Sequence, residues 1–196
     1  NLTVVTTTSD SYTDSFGFTQ EEVKEALKEY GLSENIDKVK DWYDGFVFGS
    51  QRDIYNPWSI INYLKTQRLS CYWANTSSNS LVGKLIREGG PNIKEAMEDL
   101  LNGKQLSTEI DEQIIFEQLK HNENAIWSLF LASGYLKADR YQLNEDSGKE
   151  EYKLSLTNKE VRIMFEKMIR DWFGQSVREY NGFIRALLQG NKKEMN

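Results

Sequence analysis

Two segments rich in aromatic and polar residues contain the side chains that could do chemistry. The first consists of two stretches, residues 42–46 (WYDGF) and residues 55–59 (YNPWS). Asn56 suits a helix N-cap and Pro57 suits the first helical position, so N–H groups at this helix start could face an anion or a base. The candidate binding residues are Asn56, Pro57, Trp58 and Ser59. A structural role, with the aromatics in a core and Asn56 as a cap, accounts for the same residues.

The second segment, residues 72–80 (YWANTSSNS), concentrates hydroxyl and amide side chains. These groups are a second candidate cluster, although capping of the following helix is their ordinary role. Further along, Lys and Arg recur between residues 159 and 170 and could contact phosphates. Because Glu160, Glu166 and Asp171 interleave with them, we interpret this stretch as a solvated face of mixed charge.

Several catalytic signatures are absent from the sequence. It has no P-loop, no Gly-x-Gly-x-x-Gly, no nucleophile elbow, no Cys-x-x-Cys and no His-Glu-x-x-His. Its one histidine, His121, and its one cysteine, Cys71, cannot build an ordinary zinc site. The sequence therefore predicts neither a catalytic residue nor a metal site, and leaves open only a site made of Asp and Glu.

Composition bounds the class of protein. The chain has 196 residues, 39% hydrophobic and 28% charged, with a formal charge of −6. This length suits one large domain or two small ones. The acidic balance argues against general nucleic-acid binding, and no apolar run approaches the roughly 18 residues of a membrane span. A single cysteine favours a reducing compartment, so we expect a cytoplasmic protein without a membrane partner.

Hydrophobic periodicity and caps predict most of the elements. Thr19 and Glu22 form a capping box at the start of the first helix, and Thr157 and Glu160 repeat that pattern. The predicted helices lie at about 19–30, 34–43, 56–64, 76–87, 91–102, 124–133, 157–173 and 177–189. The predicted strands lie at about 46–48, 54–55, 104–111, 135–141 and 152–156.

The order of these elements predicts a mainly α fold. Helix 124–133, the hairpin made by strands 135–141 and 152–156, and the next helix follow the arrangement of a winged-helix unit. We therefore expect a helical bundle followed by a winged-helix-like α+β segment with one β-hairpin, and a boundary near residue 104.

The aromatic and polar segments also resemble a known family. Together with residues 16–23, 133–136 and 154–161, they closely resemble motifs of the bacterial predicted AAA-ATPase-like family, in the family's order and over nearly the whole chain. Thr157 stands where the family usually has Pro. The residues that carry the resemblance are Trp42, Tyr43, Asp44, Gly45, Tyr55, Trp73, Asn75, Thr76, Asn158 and Glu160.

The resemblance implies a part of a larger protein. Family members carry a P-loop ATPase core upstream, and many carry a PD-(D/E)XK nuclease-like domain downstream. On this basis residues 1–18 are a remnant of the ATPase core, residues 19–103 a helical lid-like domain, and residues 104–196 a winged-helix-like domain. The implied partners are the chain's own upstream core and downstream nuclease-like domain. This part would hold no cofactor, and ATP and Mg²⁺ would bind only with the core.

The expected function is therefore a non-catalytic lid or regulatory module. By analogy with related signal-transduction ATPases, Asn56-Pro57 would stand where a proline near the lid's start contacts nucleotide. One alternative is a nucleic-acid-binding winged helix, but helix 124–133, in the position of the reading helix, has no Lys or Arg. Another is a protein-interaction module that uses the edge at residues 1–8 and the aromatic surface.

Overall fold

A computed structural model describes residue 7 and residues 9–73, 79–110, 119, 122–145 and 149–173. This part of the chain is mainly helical, with two small antiparallel sheets. The helices are α1 (Gln20–Glu29), α2 (Ile36–Tyr43), α3 (Pro57–Thr66), α4 (Asn79–Glu88), α5 (Pro91–Leu101), α6 (Glu123–Ala132) and α7 (Lys159–Phe173). The strands are β1 (Phe46–Phe48), β2 (Gln51–Ile54), β3 (Leu106–Glu109), β4 (Leu136–Asn144) and β5 (Lys149–Leu156).

The N-terminal elements surround one hydrophobic cluster. The capping box at the start of α1 is confirmed, because Thr19 Oγ1 accepts from the Glu22 N–H and the Glu22 carboxylate accepts from the Thr19 N–H. The apolar side of α1 packs against α2 and α3. The buried members of this first cluster are Val23, Leu27, Leu32, Val39, Tyr43, Tyr55, Ile60 and Tyr63.

A second, larger hydrophobic cluster joins α4–α7 to the three-stranded sheet, whose order is β3-β5-β4. As predicted, β4 and β5 form an antiparallel hairpin, and β5 buries Tyr152, Leu154 and Leu156 at alternating positions. Helix α6 is apolar on most of its surface and lies deep in this cluster. Its side chains pack against α7 through Phe130 and Phe165, whose rings stack 5.9 Å apart.

The two clusters divide the chain between α3 and α4. Helices α4 and α5 precede residue 104, yet their buried side chains belong to the second cluster together with those that follow it. The predicted domains 1–18, 19–103 and 104–196 stay predictions. Within the described ranges, no helix combines the length and the apolar character that a membrane span needs.

One predicted cap is wrong. Thr157 and Glu160 do not form a capping box, because Asn158 Oδ1 accepts from the Val161 N–H and thereby caps α7. Thr157 instead donates its hydroxyl to the Gly134 carbonyl, 2.7 Å away. Three further predictions lie wholly or largely outside the described residues: the motif positions Asn75 and Thr76, the edge at residues 1–8 and the helix at 177–189.

Candidate functional site

A buried carboxylate in the first turn of α7 links three separate segments of the chain. Glu160 is 0% exposed. Its carboxylate accepts a hydrogen bond from Ser59 Oγ (2.8 Å), at the start of α3, and another from the Trp73 backbone N–H (2.7 Å). Hydrogen bonds to a carboxylate in a protein interior are stronger than neutral ones. We call Ser59, Trp73 and Glu160 the Glu160 junction.

The groups beside this junction are held in neutral, unreactive forms. The Cys71 thiol donates to the Glu160 backbone carbonyl at 3.6 Å, and burial, together with the nearby carboxylate, raises the pKa of Cys71 to about 11. A thiol with this pKa is a poor nucleophile at neutral pH. Burial likewise raises the pKa of Tyr43, whose hydroxyl donates to the Ser70 carbonyl and accepts from the Ser70 N–H.

The helix start predicted to face an anion already uses its own donors. Asn56 Oδ1 accepts from the N–H groups of Trp58 (2.9 Å) and Ser59 (3.3 Å), and Pro57 has no N–H to offer. Trp58 is 57% exposed, whereas the Ser59 side chain points into the Glu160 junction. The structure therefore gives Asn56 a capping role and Ser59 a tethering role. Contact of these residues with a nucleotide stays a prediction.

The aspartate–glycine turn after α2 packs directly on the start of α7. Gly45 has a φ of +114°, and a Cβ placed there would lie 2.1 Å from the Thr157 carbonyl oxygen. The next ring, Phe46, meets Trp73 edge to face at 5.8 Å, and Trp73 packs 5.1 Å from Tyr135. On the outer side, Lys159 lies over the Trp42 ring, 5.6 Å from its centroid. The turn and the Glu160 junction thus form one contact region between the two clusters.

Asp44 has an unusual electrostatic environment at this turn. The residue is 8% exposed, and its Oδ1 is buried without a hydrogen-bond partner among the described residues. Burial, together with the neighbouring Asp53 carboxylate, raises the pKa of Asp44 to about 6. Asp53 is stabilised as the charged partner: its pKa is lowered, against the effect of burial, by hydrogen bonds from Lys40 and Asp44. The pair therefore retains a proton up to about pH 6, well above the range in which an ordinary aspartate ionises.

This proton predicts a pH dependence of stability. The pKa of Asp44 in the folded chain, about 6, lies above its ordinary value of 3.8, so the folded state binds the proton more tightly. The free energy of unfolding should therefore fall by about 1–3 kcal/mol as the pH rises from about 4 to about 6. Asp44→Asn should flatten this segment of the profile and stabilise the chain above it. Urea denaturation across pH checks this, and an unchanged profile in the variant would contradict it.

Tyr55 provides a second buried group without a partner. Its ring is fully buried in the first cluster, but its hydroxyl has no hydrogen-bond partner within the described part of the chain. Tyr55→Phe should therefore raise the free energy of unfolding by about 1 kcal/mol, because a buried unpaired hydroxyl is costly. Tyr43→Phe is the matched control and should lower it by about 1 kcal/mol, because it removes two hydrogen bonds to Ser70. Equal effects in thermal denaturation would refute this assignment.

The structure brings together many of the residues that carry the family resemblance. Tyr43, Asp44, Gly45, Trp73, Asn158 and Glu160 all lie in or beside the contact region between the clusters. The pairing of Ser59 with Glu160 and that of Asp53 with Asp44 were not predicted from the sequence. The only sequence signal for the pairing of Ser59 with Glu160 was that Ser59, a small polar residue, occupies a position that the helical period predicts to be buried.

Comparisons of this chain with protein-family models, with curated proteins and with solved structures found no match. The described residues hold no group of three or more His, Cys, Asp or Glu side chains arranged to bind a metal ion.

Proposed function

We propose that this chain is a non-catalytic lid or regulatory part of an AAA-ATPase-like protein, coupling the nucleotide state of a P-loop core to neighbouring domains. One observation carries the proposal. Segments that resemble family motifs, separated by up to 101 positions along the chain, meet at the Glu160 junction between two hydrophobic clusters. A coupling module needs such a contact, because it must transmit a displacement from one side to the other.

The junction gives this transmission a physical basis. A shift of α3 that carried Ser59 away from Glu160 would leave a buried carboxylate short of a donor, which is costly. The same carboxylate holds the Trp73 N–H, and the aspartate–glycine turn packs on the residue two positions before the start of α7. Movement of α3 relative to α7 is therefore opposed by groups from three segments. In this proposal the lid and the winged-helix-like part move as one unit.

The first test is catalytic inactivity. The purified chain should release no phosphate from ATP with Mg²⁺ above a buffer blank, because its sequence has no phosphate-binding loop. Turnover that copurifies with the chain and is lost on substitution of one of its own residues, such as Asp44→Asn, would refute the proposal.

The family assignment has a separate test. The reading frame upstream of Asn1 should encode a Gly-Lys-Ser/Thr loop after a buried strand. An upstream sequence that lacks this loop would contradict the assignment, whatever the result of the ATP assay.

Nucleic-acid binding remains the alternative of another class, and the structure weakens its support. Helix α6, in the position of a reading helix, buries Ala125, Ile126, Trp127, Ser128, Phe130 and Leu131. A mobility-shift assay at low salt should show no salt-sensitive binding of duplex DNA near micromolar protein.

A role in binding proteins is favoured by two exposed apolar side chains on one face of α3, Trp58 and Ile61. Their spacing of three places them side by side on the helix. If light scattering found a monomer both for the unsubstituted chain and for Trp58→Ser, this alternative would be weakened.

A further inference from the structure

A cleft runs along the contact region between the two clusters. The end of α2, the start of β4 and the start of α7 line it, and its volume is about 570 Å³. Cationic side chains line it from three elements: Lys40, Lys137, Lys159 and Arg162. Its acidic residues are Asp41 and Asp44. The cleft therefore has an excess of positive charge in a chain whose overall charge is −6.

Two of the four cations already have carboxylate partners. Lys159 pairs with Asp41 at 2.7 Å, and Lys40 pairs with Asp53 at 3.2 Å and with Asp44 at 3.6 Å. In the part of the chain that the structure describes, Lys137 and Arg162 form no ion pair. Both nevertheless line the same cleft, one from β4 and the other from α7. Set against the carboxylates of Asp41, Asp44 and Asp53, the four cations leave a net charge of about +1, or about +2 when the Asp44–Asp53 pair holds a proton.

We propose that this cleft binds a small phosphate monoester, with Lys137 and Arg162 as the side chains that hold the phosphate group. Arg presents a planar set of donors that matches phosphate, and Lys adds a point charge. The start of α7, a helix of 15 residues, adds the positive end of its dipole. Asn158, on the cleft wall, carries a side-chain amide nitrogen without a hydrogen-bond partner among the described residues.

The size of the cleft favours an ester over a bare ion. Pockets for small organic ligands commonly span about 300–1,000 Å³, a range that includes this cleft and far exceeds the needs of inorganic phosphate. The organic part would lie along Leu156 and the aliphatic stem of Lys159. This inference does not depend on the proposed coupling role, because it concerns binding to the chain itself.

Asp44 makes the site sensitive to protons. The charged groups that act on its carboxyl group are Lys40, on the helix that Asp44 ends, and Asp53 on β2. Lys137, on β4, lines the same cleft and acts on Asp53. When the Asp44–Asp53 pair holds its proton, one negative charge disappears from the cleft wall, while Lys40 keeps its charged partner Asp53. An anion should therefore bind more tightly below about pH 6 than above it.

The test is calorimetric titration of the purified chain with inorganic phosphate, phenyl phosphate and sodium chloride. Phenyl phosphate should bind saturably, and Lys137→Gln and Arg162→Gln should each weaken it about tenfold, as expected for a lost charged hydrogen bond. Lys24→Gln, an exposed cation on α1, is the matched control and should leave binding unchanged. Tighter binding of phenyl phosphate than of inorganic phosphate identifies an ester site, whereas the reverse order identifies a site for free phosphate and overturns the ester assignment.

The pH dependence of anion binding is measured with sulfate, because the charge of sulfate is constant over the pH range used. Its affinity should rise several-fold between about pH 8 and about pH 5 in the unsubstituted chain. In Asp44→Asn it should already be high at the upper pH and change little. Absence of saturable binding of any phosphate, or binding that neither Lys137→Gln nor Arg162→Gln weakens, would overturn the proposal.

Discussion

Gly45→Ala should lower the free energy of unfolding by about 3 kcal/mol or more. The residue has a φ of +114°, which side chains of L-amino acids rarely adopt. The added Cβ would also lie 2.1 Å from the Thr157 carbonyl oxygen, a backbone atom that cannot rotate away. Relief requires the turn to separate from α7, and that separation breaks the contact region between the clusters.

Gly31→Ala is the matched control for this substitution. Gly31 also has a positive φ, +68°, but a Cβ there would meet nothing within 4 Å. Its cost should be about 1 kcal/mol, which is the penalty for a left-handed alanine alone. Urea denaturation of the two variants separates backbone strain from the clash, and equal losses would show that the packing of Gly45 against Thr157 contributes nothing.

Glu160→Ala should cost about 3–5 kcal/mol of stability, because it leaves a hydroxyl and an N–H unpaired in the interior and opens a cavity. The two donors are Ser59 Oγ and the Trp73 N–H. Ser59→Ala removes one donor only and should cost about 1–2 kcal/mol.

Glu160→Gln is the conservative control, and it should cost less than Glu160→Ala. It keeps the shape of the side chain and one acceptor for the Trp73 N–H, and the Ser59 hydroxyl can rotate to accept from the amide. If Glu160→Ala unfolded at the same urea concentration as the unsubstituted chain, the carboxylate would not be holding the segments together.

The two Thr-x-x-Glu patterns show how far local sequence determines structure here. At α1 the pattern gives the predicted capping box, because Glu22 is exposed and its carboxylate accepts from both the N–H and the hydroxyl of Thr19, three positions away. At α7 the same pattern fails. Ser59, 101 positions away, and Trp73, 87 positions away, supply donors to Glu160, while Asn158 takes over the cap. Such distant donors cannot be read from a local pattern.

The same distinction separates the predicted fold from the candidate sites. Periodicity located the strands of the β4–β5 hairpin and the buried helix α6, because each needs only its own residues to show which face is apolar. It could not place Lys137 and Arg162 along one cleft, since they lie on different elements. Nor could it pair Asp44 with Asp53, which depends on how β2 returns past the end of α2.

Hydrogen exchange measured by mass spectrometry on the Glu160→Gln chain tests the coupling through the Glu160 junction most directly. Glu166→Gln, on the same helix, is the matched control. Glu160→Gln replaces two hydrogen bonds to a charged carboxylate by weaker neutral ones, so it should speed exchange in α3 and in residues 71–73 as well as in α7, whereas Glu166→Gln should not. Faster exchange confined to α7 would show that the Glu160 junction transmits nothing to the other segments and would overturn the proposed coupling.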